Sequence, residues 1–366
     1  MKKHNPENER IKRKYLIFLK EAQQLDVSSI DAAAKALSRF EEYTKLRDFK
    51  AFHFQQAVGF KKQLAKQKNQ VTGKNLSKAT LNSTLRHLKN FFQWLSMQTG
   101  YKSRITYTDM EYFNLSEKET RIATAKRSKP GPTLEQVKRV IESMPSNTDI
   151  ERRNRALIAF TILTGARDSA IASLKIKHID LQAKTVFQDA REVNTKFSKT
   201  FTSYFFPVGD DIRKIVVDWV NYLKAELFYG LDDPLFPKTQ IINNKKSEFE
   251  ASGLKREHWS NADPIRKIFR EAFTNAGLPY FNPHSFRNTL VMHCLQVCRS
   301  PEDIRCISQS LGHEKVLTTF LSYGEVQPQR QAEIFQELQK SEQNKKQSTD
   351  EILKQKMDEL IHLMKH

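Results

Sequence analysis

Residues Ser310–Val326 read SLGHEKVLTTFLSYGEV, and the architecture of the chain turns on them. A helix predicted over Pro301–Leu311 stops at Gly312-His313, and Tyr323 follows ten residues beyond the histidine, after a Thr318-Thr319 pair. By themselves these residues are weak signals. A histidine just past a helix more often caps or packs than catalyses, and a tyrosine before a glycine is most often ordinary packing.

Working outward, PHSFRNTL (Pro283–Leu290) sets His284 and Arg287 three apart, so on a helix they share one face and both can meet one phosphate. A guanidinium makes two charge-assisted bonds to non-bridging oxygens. Further upstream, TGARDSAIASL (Thr164–Leu174) puts Arg167 just after Gly165, at the predicted end of a helix over Asp149–Thr164. Between these segments, Thr185–Ala190 and Ser203–Val208 read as strands rich in aromatic and β-branched residues. Further helices are predicted over Asp210–Tyr229, Asp263–Ala276 and Pro283–Cys298. Periodicity alone gives an α-rich domain with one small antiparallel sheet.

The rest of the chain frames this region. Its 366 residues suggest two domains. No apolar run approaches the ~18 residues of a membrane span, and MKKHNPENER lacks a signal-peptide core, so a soluble, cytoplasmic protein is expected. Cys294, Cys298 and Cys306 are odd in number and closely spaced; they match neither a disulfide framework nor a common zinc pattern and read as small packing residues. The formal net charge is +19, and residues 1–130 hold 27 Lys and Arg against 12 Asp and Glu. So concentrated an excess points to an anionic partner, most often nucleic acid.

The basic part reads as helices over Ile11–Gln24, Ile30–Lys45 (opened by Ser28 or Ser29) and the run Leu81, Leu85, Leu88, Phe92, Leu95, with Ser77 as N-cap and Gly100 as stop. Lys78, Arg86 and Lys89 lie off that apolar face as candidate DNA contacts. Residues 116–133 lack apolar periodicity and contain Pro130-Gly131-Pro132, a linker composition; Thr133-x-x-Gln136 then looks like a capping box. The expected organisation is a helical domain at 1–117, a linker at 118–132, a second domain at 133–340 and a tail at 341–366. In the tail Leu353, Met357, Leu360 and Met364 outline a short amphipathic helix.

The order G-A-R, H-x-x-R, L-G-H, T-T, Tyr over roughly residues 10–330 resembles the tyrosine recombinase (phage integrase) family. The resemblance implies a mainly α fold: an N-terminal helical (SAM-like) core-binding domain, then a mixed α/β catalytic domain with a small antiparallel sheet, the DNA breaking-rejoining enzyme fold. It implies that Tyr323 attacks phosphorus and leaves a 3′-phosphotyrosyl link and a free 5′-hydroxyl. Arg167 and Arg287 would clamp the scissile phosphate and stabilise the charge that builds on it. His284 would bond the same phosphate and assist proton removal from the tyrosine, and His313 would be a further donor. A lysine on a β-hairpin turn protonates the leaving oxygen in this family. In NTKFSKTFTSYFFPV (Asn194–Val208) that lysine resembles Lys199, with Lys196 as alternative. No metal, ATP or other cofactor is implied.

Two positions depart from the pattern. Ala170 stands where the family often has glutamate, with Asp168 nearby, and Tyr323 lies one residue later than usual, Ser322 taking the common position. The expected partner is double-stranded DNA, gripped through phosphate contacts by two basic domains, with a homotetramer acting on two duplexes and the tail helix docking on a neighbouring protomer. Three competing readings stand beside this one: a non-catalytic DNA-binding protein on a decayed scaffold, a type IB topoisomerase, and an RNA-binding protein.

Overall fold

The computed structural model describes residues 4–69, 73–125, 131–243, 249–298 and 300–313, together with 331–333, 335, 336 and 339. The chain divides into two compact units, Met1–Lys126 and Arg127–His366.

The first unit is helical. α1 (Pro6–Ile17) starts with proline in its first turn and with Asn5 accepting from the Glu7 and Asn8 amides, then runs into one π-helical turn, Phe18–Ala22. α2 (Val27–Thr44) is opened by Asp26 rather than by Ser28 or Ser29. The Asp26 carboxylate accepts from the Ser29 amide, and both serine hydroxyls donate to it. α3 (Phe54–Lys66), which has no counterpart among the predicted helices, buries Ala57, Phe60 and Leu64. α4 (Lys78–Leu95) has the expected Ser77 cap, and all five residues of its predicted apolar face are 2% exposed or less. It ends at Leu95, with Gly100 in the turn beyond. Phe40, Phe52, Phe60, Phe92 and Phe113 fill the centre of the unit, Phe52 stacking on Phe92 at 3.9 Å.

The expected linker at 118–132 is corrected in its first half. α5 (Glu117–Thr124) occupies it, capped by Ser116 and tied to α4 by a Lys78–Glu119 ion pair of 2.7 Å. With no buried residue in the helix, there is no apolar period to announce it.

The second unit opens with α6 (Leu134–Ser143), whose Thr133/Gln136 capping box forms as expected. α7 (Asp149–Thr164) is buried continuously from Ala156 to Thr164 and ends at Gly165 in the left-handed conformation. α8 (Asp168–Ile171) follows at once. β1 (Ile179–Asp180), β2 (Thr185–Gln188) and β3 (Phe201–Tyr204) form an antiparallel sheet in the order β1-β2-β3, with Val186 opposite Ser203 and Gln188 opposite Phe201. β3 lies earlier than the predicted Ser203–Val208. Phe206 is drawn into the core, and its amide donates to the Leu163 carbonyl of α7 at 2.7 Å instead of extending the ladder.

α9 (Asp210–Ala225) packs along α7. A second antiparallel pair, β4 (Lys238–Asn243) with β5 (Phe249–Lys255), was not expected from sequence. It is held by Arg153 of α7, which donates to the Pro237 carbonyl and the Thr239 hydroxyl. α10 (Asp263–Asn275), α11 (Ser285–Val297) and α12 (Pro301–Ser310) complete the described part. Of the cysteines, Cys294 is buried, Cys298 half-buried and Cys306 exposed, so the packing assignment fails for Cys306. Residues 341–366, with the predicted tail helix, lie outside the described residues.

Candidate active site

Three chain segments end in backbone turns at one place. The first is the end of α7. Gly165 (φ 62°) stops the helix, and a Cβ there would lie 2.5 Å from the Leu311 side chain. The glycine is therefore required twice, by conformation and by contact. Arg167 then takes an extended backbone at the start of α8 and is half-buried.

The second is the start of α11. His284 occupies the N-cap position and is exposed, while Arg287, one turn on, is only 1% exposed. Phe286 between them packs on Phe269 and Phe273. The third is the end of α12. The Gly312 amide donates to the Gln309 carbonyl and the His313 amide to the Ser308 carbonyl, with Gly312 at φ 64°. These are the paired bonds of a Schellman cap, so Leu311-Gly312-His313 is a helix stop that delivers the histidine.

Arg287 joins the three. Its guanidinium donates to the Gly165 carbonyl, to the Leu311 carbonyl and, at 3.1 Å, to His313 Nε2. A guanidinium only donates, so Nε2 is the acceptor and the His313 proton resides on Nδ1. His313 is thus neutral. Burial, then the charges of Arg287, Arg167, His284 and Lys199, push its pKa down to about 3. His284 is lowered as well, first by the protein crowding it and then by Arg287 and Arg167, with Asp168 pulling the other way and Lys196 adding to the depression.

Lys196 and Lys199 sit on the excursion between β2 and β3. Lys199 is half-buried two residues before β3 and acts on His313. Lys196 is exposed, 4.8 Å from the Phe197 ring. Phe197 and Ser198 both have left-handed backbones (φ 61° and 49°), and Phe197 is 75% exposed.

The structure therefore brings Arg167, Lys199, His284, Arg287 and His313 together. Tyr323 and the Thr318–Ser322 segment lie outside the described residues. Ala170, at the usual glutamate position, is buried in the apolar core, and Asp168 is turned to Arg266 of α10 at 2.8 Å. Among the described residues no group of three or more His, Cys, Asp or Glu side chains is arranged to hold a metal ion. In the first unit, Lys78 pairs with Glu119 and Lys89 with Glu111, both at 2.7 Å, while Arg86 is exposed. Sequence reasoning did not find the buried polar link Gln188–Ser203–Ser310; its partners are up to 107 positions apart and carry no local signature.

The model of the phage integrase family matches residues 133–330. Tyrosine recombinase XerC of Lactobacillus leichmannii is 24% identical over 68% of this chain and 72% of its own, and XerC of Escherichia coli O157:H7 is 26% identical over 67% and 70%. Among solved structures, a λ integrase dimer bound to a COC′ core site aligns with a TM-score of 0.59 at 13% identity, covering 88% of this chain and 82% of that one. XerH bound to palindromic difH substrate aligns at 0.56 and 20% identity, covering 89% and 83%. These likenesses show the fold. The chain belongs to the phage integrase family and is a tyrosine-type site-specific recombinase.

Proposed function

We propose that this protein cuts and rejoins duplex DNA through a 3′-phosphotyrosyl intermediate at Tyr323. The observation that carries the reading is the convergence of Arg167, Arg287, His284 and Lys199 on His313, at the meeting of three turns.

In this reading the scissile phosphate lies against Arg167, with the buried charge of Arg287 beneath it. Tyr323 attacks phosphorus. The Tyr–O–P bond forms, the P–O5′ bond breaks, the phenol proton passes to neutral His284, and Lys199 gives a proton to the leaving 5′ oxygen. His313 donates to a non-bridging oxygen through Nδ1. Nearby cations favour the phenolate of a residue whose ordinary pKa is about 10. The phosphotyrosyl ester keeps the bond energy, so a 5′-hydroxyl reverses the attack, and no step draws on a metal or on ATP.

The first unit, residues 1–117 with α5 appended, binds the duplex, and residues 133–340 carry the chemistry. Arg86 is the first candidate for phosphate contact there. Lys78 and Lys89 exchange Glu119 and Glu111 for phosphate on binding. λ integrase and XerH are solved on DNA, which supports a DNA partner. Two duplexes, each cut at two positions, call for four copies, hence a homotetramer.

The test uses nicked suicide duplexes from a randomised pool, in which the short fragment bearing the new 5′-hydroxyl diffuses away, so that the break cannot be religated. Wild type should form a covalent adduct that Tyr323→Phe abolishes; tight binding without any adduct would refute the reading.

A further inference from the structure

The edge of β3 turned away from β2 is covered by the last turn of α12. The Tyr204 amide donates to Ser310 Oγ at 2.9 Å, and Ser203 Oγ donates to the Ser310 carbonyl at 2.7 Å. That carbonyl is one of the four that a helix end leaves without an internal partner. Ser203 Oγ also accepts from Gln188 Nε2 of β2 at 2.9 Å. Ser203, Gln188 and Ser310 are 1%, 2% and 7% exposed, so water does not compete for these bonds. One step along β3, the Phe201 ring lies so close to Gly312 that a Cβ there would stand 2.6–2.9 Å from three ring atoms.

β3 is thus fixed to the α12 corner at Phe201, Ser203 and Tyr204, within four residues. Lys199 precedes Phe201 by two positions, and His313 follows Gly312 directly. The strand that follows the lysine is also the bed for the turn that delivers the histidine. We propose that the Gln188–Ser203–Ser310 network is a positioning latch. It sets the register of Lys199 against the His313 corner and thereby governs protonation of the leaving 5′ oxygen. The inference rests on the reading of Lys199 as that proton donor.

None of the three is a catalytic residue. Buried hydrogen bonds that are fully satisfied hold one geometry against its neighbours. A strand rises about 3.3 Å per residue, so even partial slippage of β3 moves Lys199 further than the ~1 Å that costs about a hundredfold in rate.

The experiment compares two leaving groups on the suicide duplex that wild type captures from a randomised pool. One version carries the ordinary 5′ oxygen at the scissile position and the other a bridging 5′ sulfur, which departs as a thiolate of ordinary pKa near 8.5 and needs no acid. Ser203→Ala and Ser310→Ala should cleave the oxygen substrate roughly 10–100-fold more slowly than wild type. Each leaves buried partners unpaired, so their melting temperatures should fall by several degrees, while DNA affinity and fold, measured well below the transition, should match wild type. The sulfur substrate should restore cleavage to within a few fold. Ser310→Thr, which keeps the hydroxyl, should retain activity on oxygen. Lys199→Ala is the control and should show the same rescue. Wild-type rates on oxygen for both alanine variants, or losses that persist on sulfur while Lys199→Ala is rescued, would overturn the latch. If Lys199→Ala is itself not rescued, the assignment of the acid fails, and the latch falls with it for that separate reason.

Discussion

Replacing Arg287 by lysine should unfasten the second unit, although charge is conserved. The guanidinium reaches the Gly165 carbonyl, the Leu311 carbonyl and His313 Nε2 from one planar fork, in a site 1% exposed. An ammonium on a flexible stem does not reproduce that fork. It leaves one or two buried acceptors unpaired, each costing about 1–3 kcal/mol. The expected loss is therefore about 3 kcal/mol. At roughly 2–4 °C per kcal/mol for a unit of this size, its melting transition should fall by about 6–12 °C. Calorimetry of the full chain resolves that transition. Arg287→Met gives the electrostatic half of the argument. With the cation gone, His313 should titrate at least one unit above its present value near 3, as followed by NMR of the imidazole Cε1 proton. An Arg287→Lys variant that melts within 2 °C of wild type would refute the staple, whatever its activity.

Other outcomes follow from the same geometry. Gly165→Ala meets both a left-handed backbone, which costs about 1–2 kcal/mol, and the Leu311 side chain at 2.5 Å, so urea denaturation should show a loss of about 2–4 kcal/mol; a loss below 1 would contradict the close contact. His313 has a folded pKa below its unfolded value of about 6.5, so its contribution is fully present above pH 6.5 and is lost as pH falls toward 3, with a slope of up to about 1.4 kcal/mol per pH unit. Asp189, paired with Arg191, and Glu192, bonded to Lys177, are held near 2, so their contributions are present in full above about pH 4.5 and are lost only as pH falls from there toward 2. Stability between pH 6.5 and 4.5 should accordingly flatten in His313→Gln, and an unchanged slope would sink the assignment. Lys199→Ala should slow cleavage far more than Lys196→Ala, since Lys199 is the half-buried one acting on His313; the reverse order would exchange their roles.

What the sequence disclosed is mostly what short-range physics fixes. Ser77, the Thr133/Gln136 box and Gly165 were legible because a cap is a contact between a residue and its near neighbours. The α2 cap went to Asp26, whose carboxylate takes the Ser29 amide and also both serine hydroxyls, so the serines are partners of the cap rather than caps. α5 and the β4–β5 pair were not legible. One is held by an ion pair across 41 residues, the other by Arg153 across 84, and neither has an apolar period of its own strong enough to read. The site residues were found through their order along the chain, yet nothing in H-x-x-R distinguishes an exposed histidine from an arginine that is 1% exposed. The Ser203–Ser310 link was beyond reach for the same reason: serines carry no signal until the fold brings them together.

The central claim is that Tyr323 becomes the covalent link to DNA. Trypsin should release Val316–Arg330 as one peptide, VLTTFLSYGEVQPQR, with a single tyrosine beside Ser322 and two threonines. Mass spectrometry of the nuclease-trimmed, trapped adduct should find a nucleotide joined through its 3′-phosphate to Tyr323 of that peptide. Attachment at Ser322, linkage through a 5′-phosphate, or a modified residue elsewhere in the chain would contradict it.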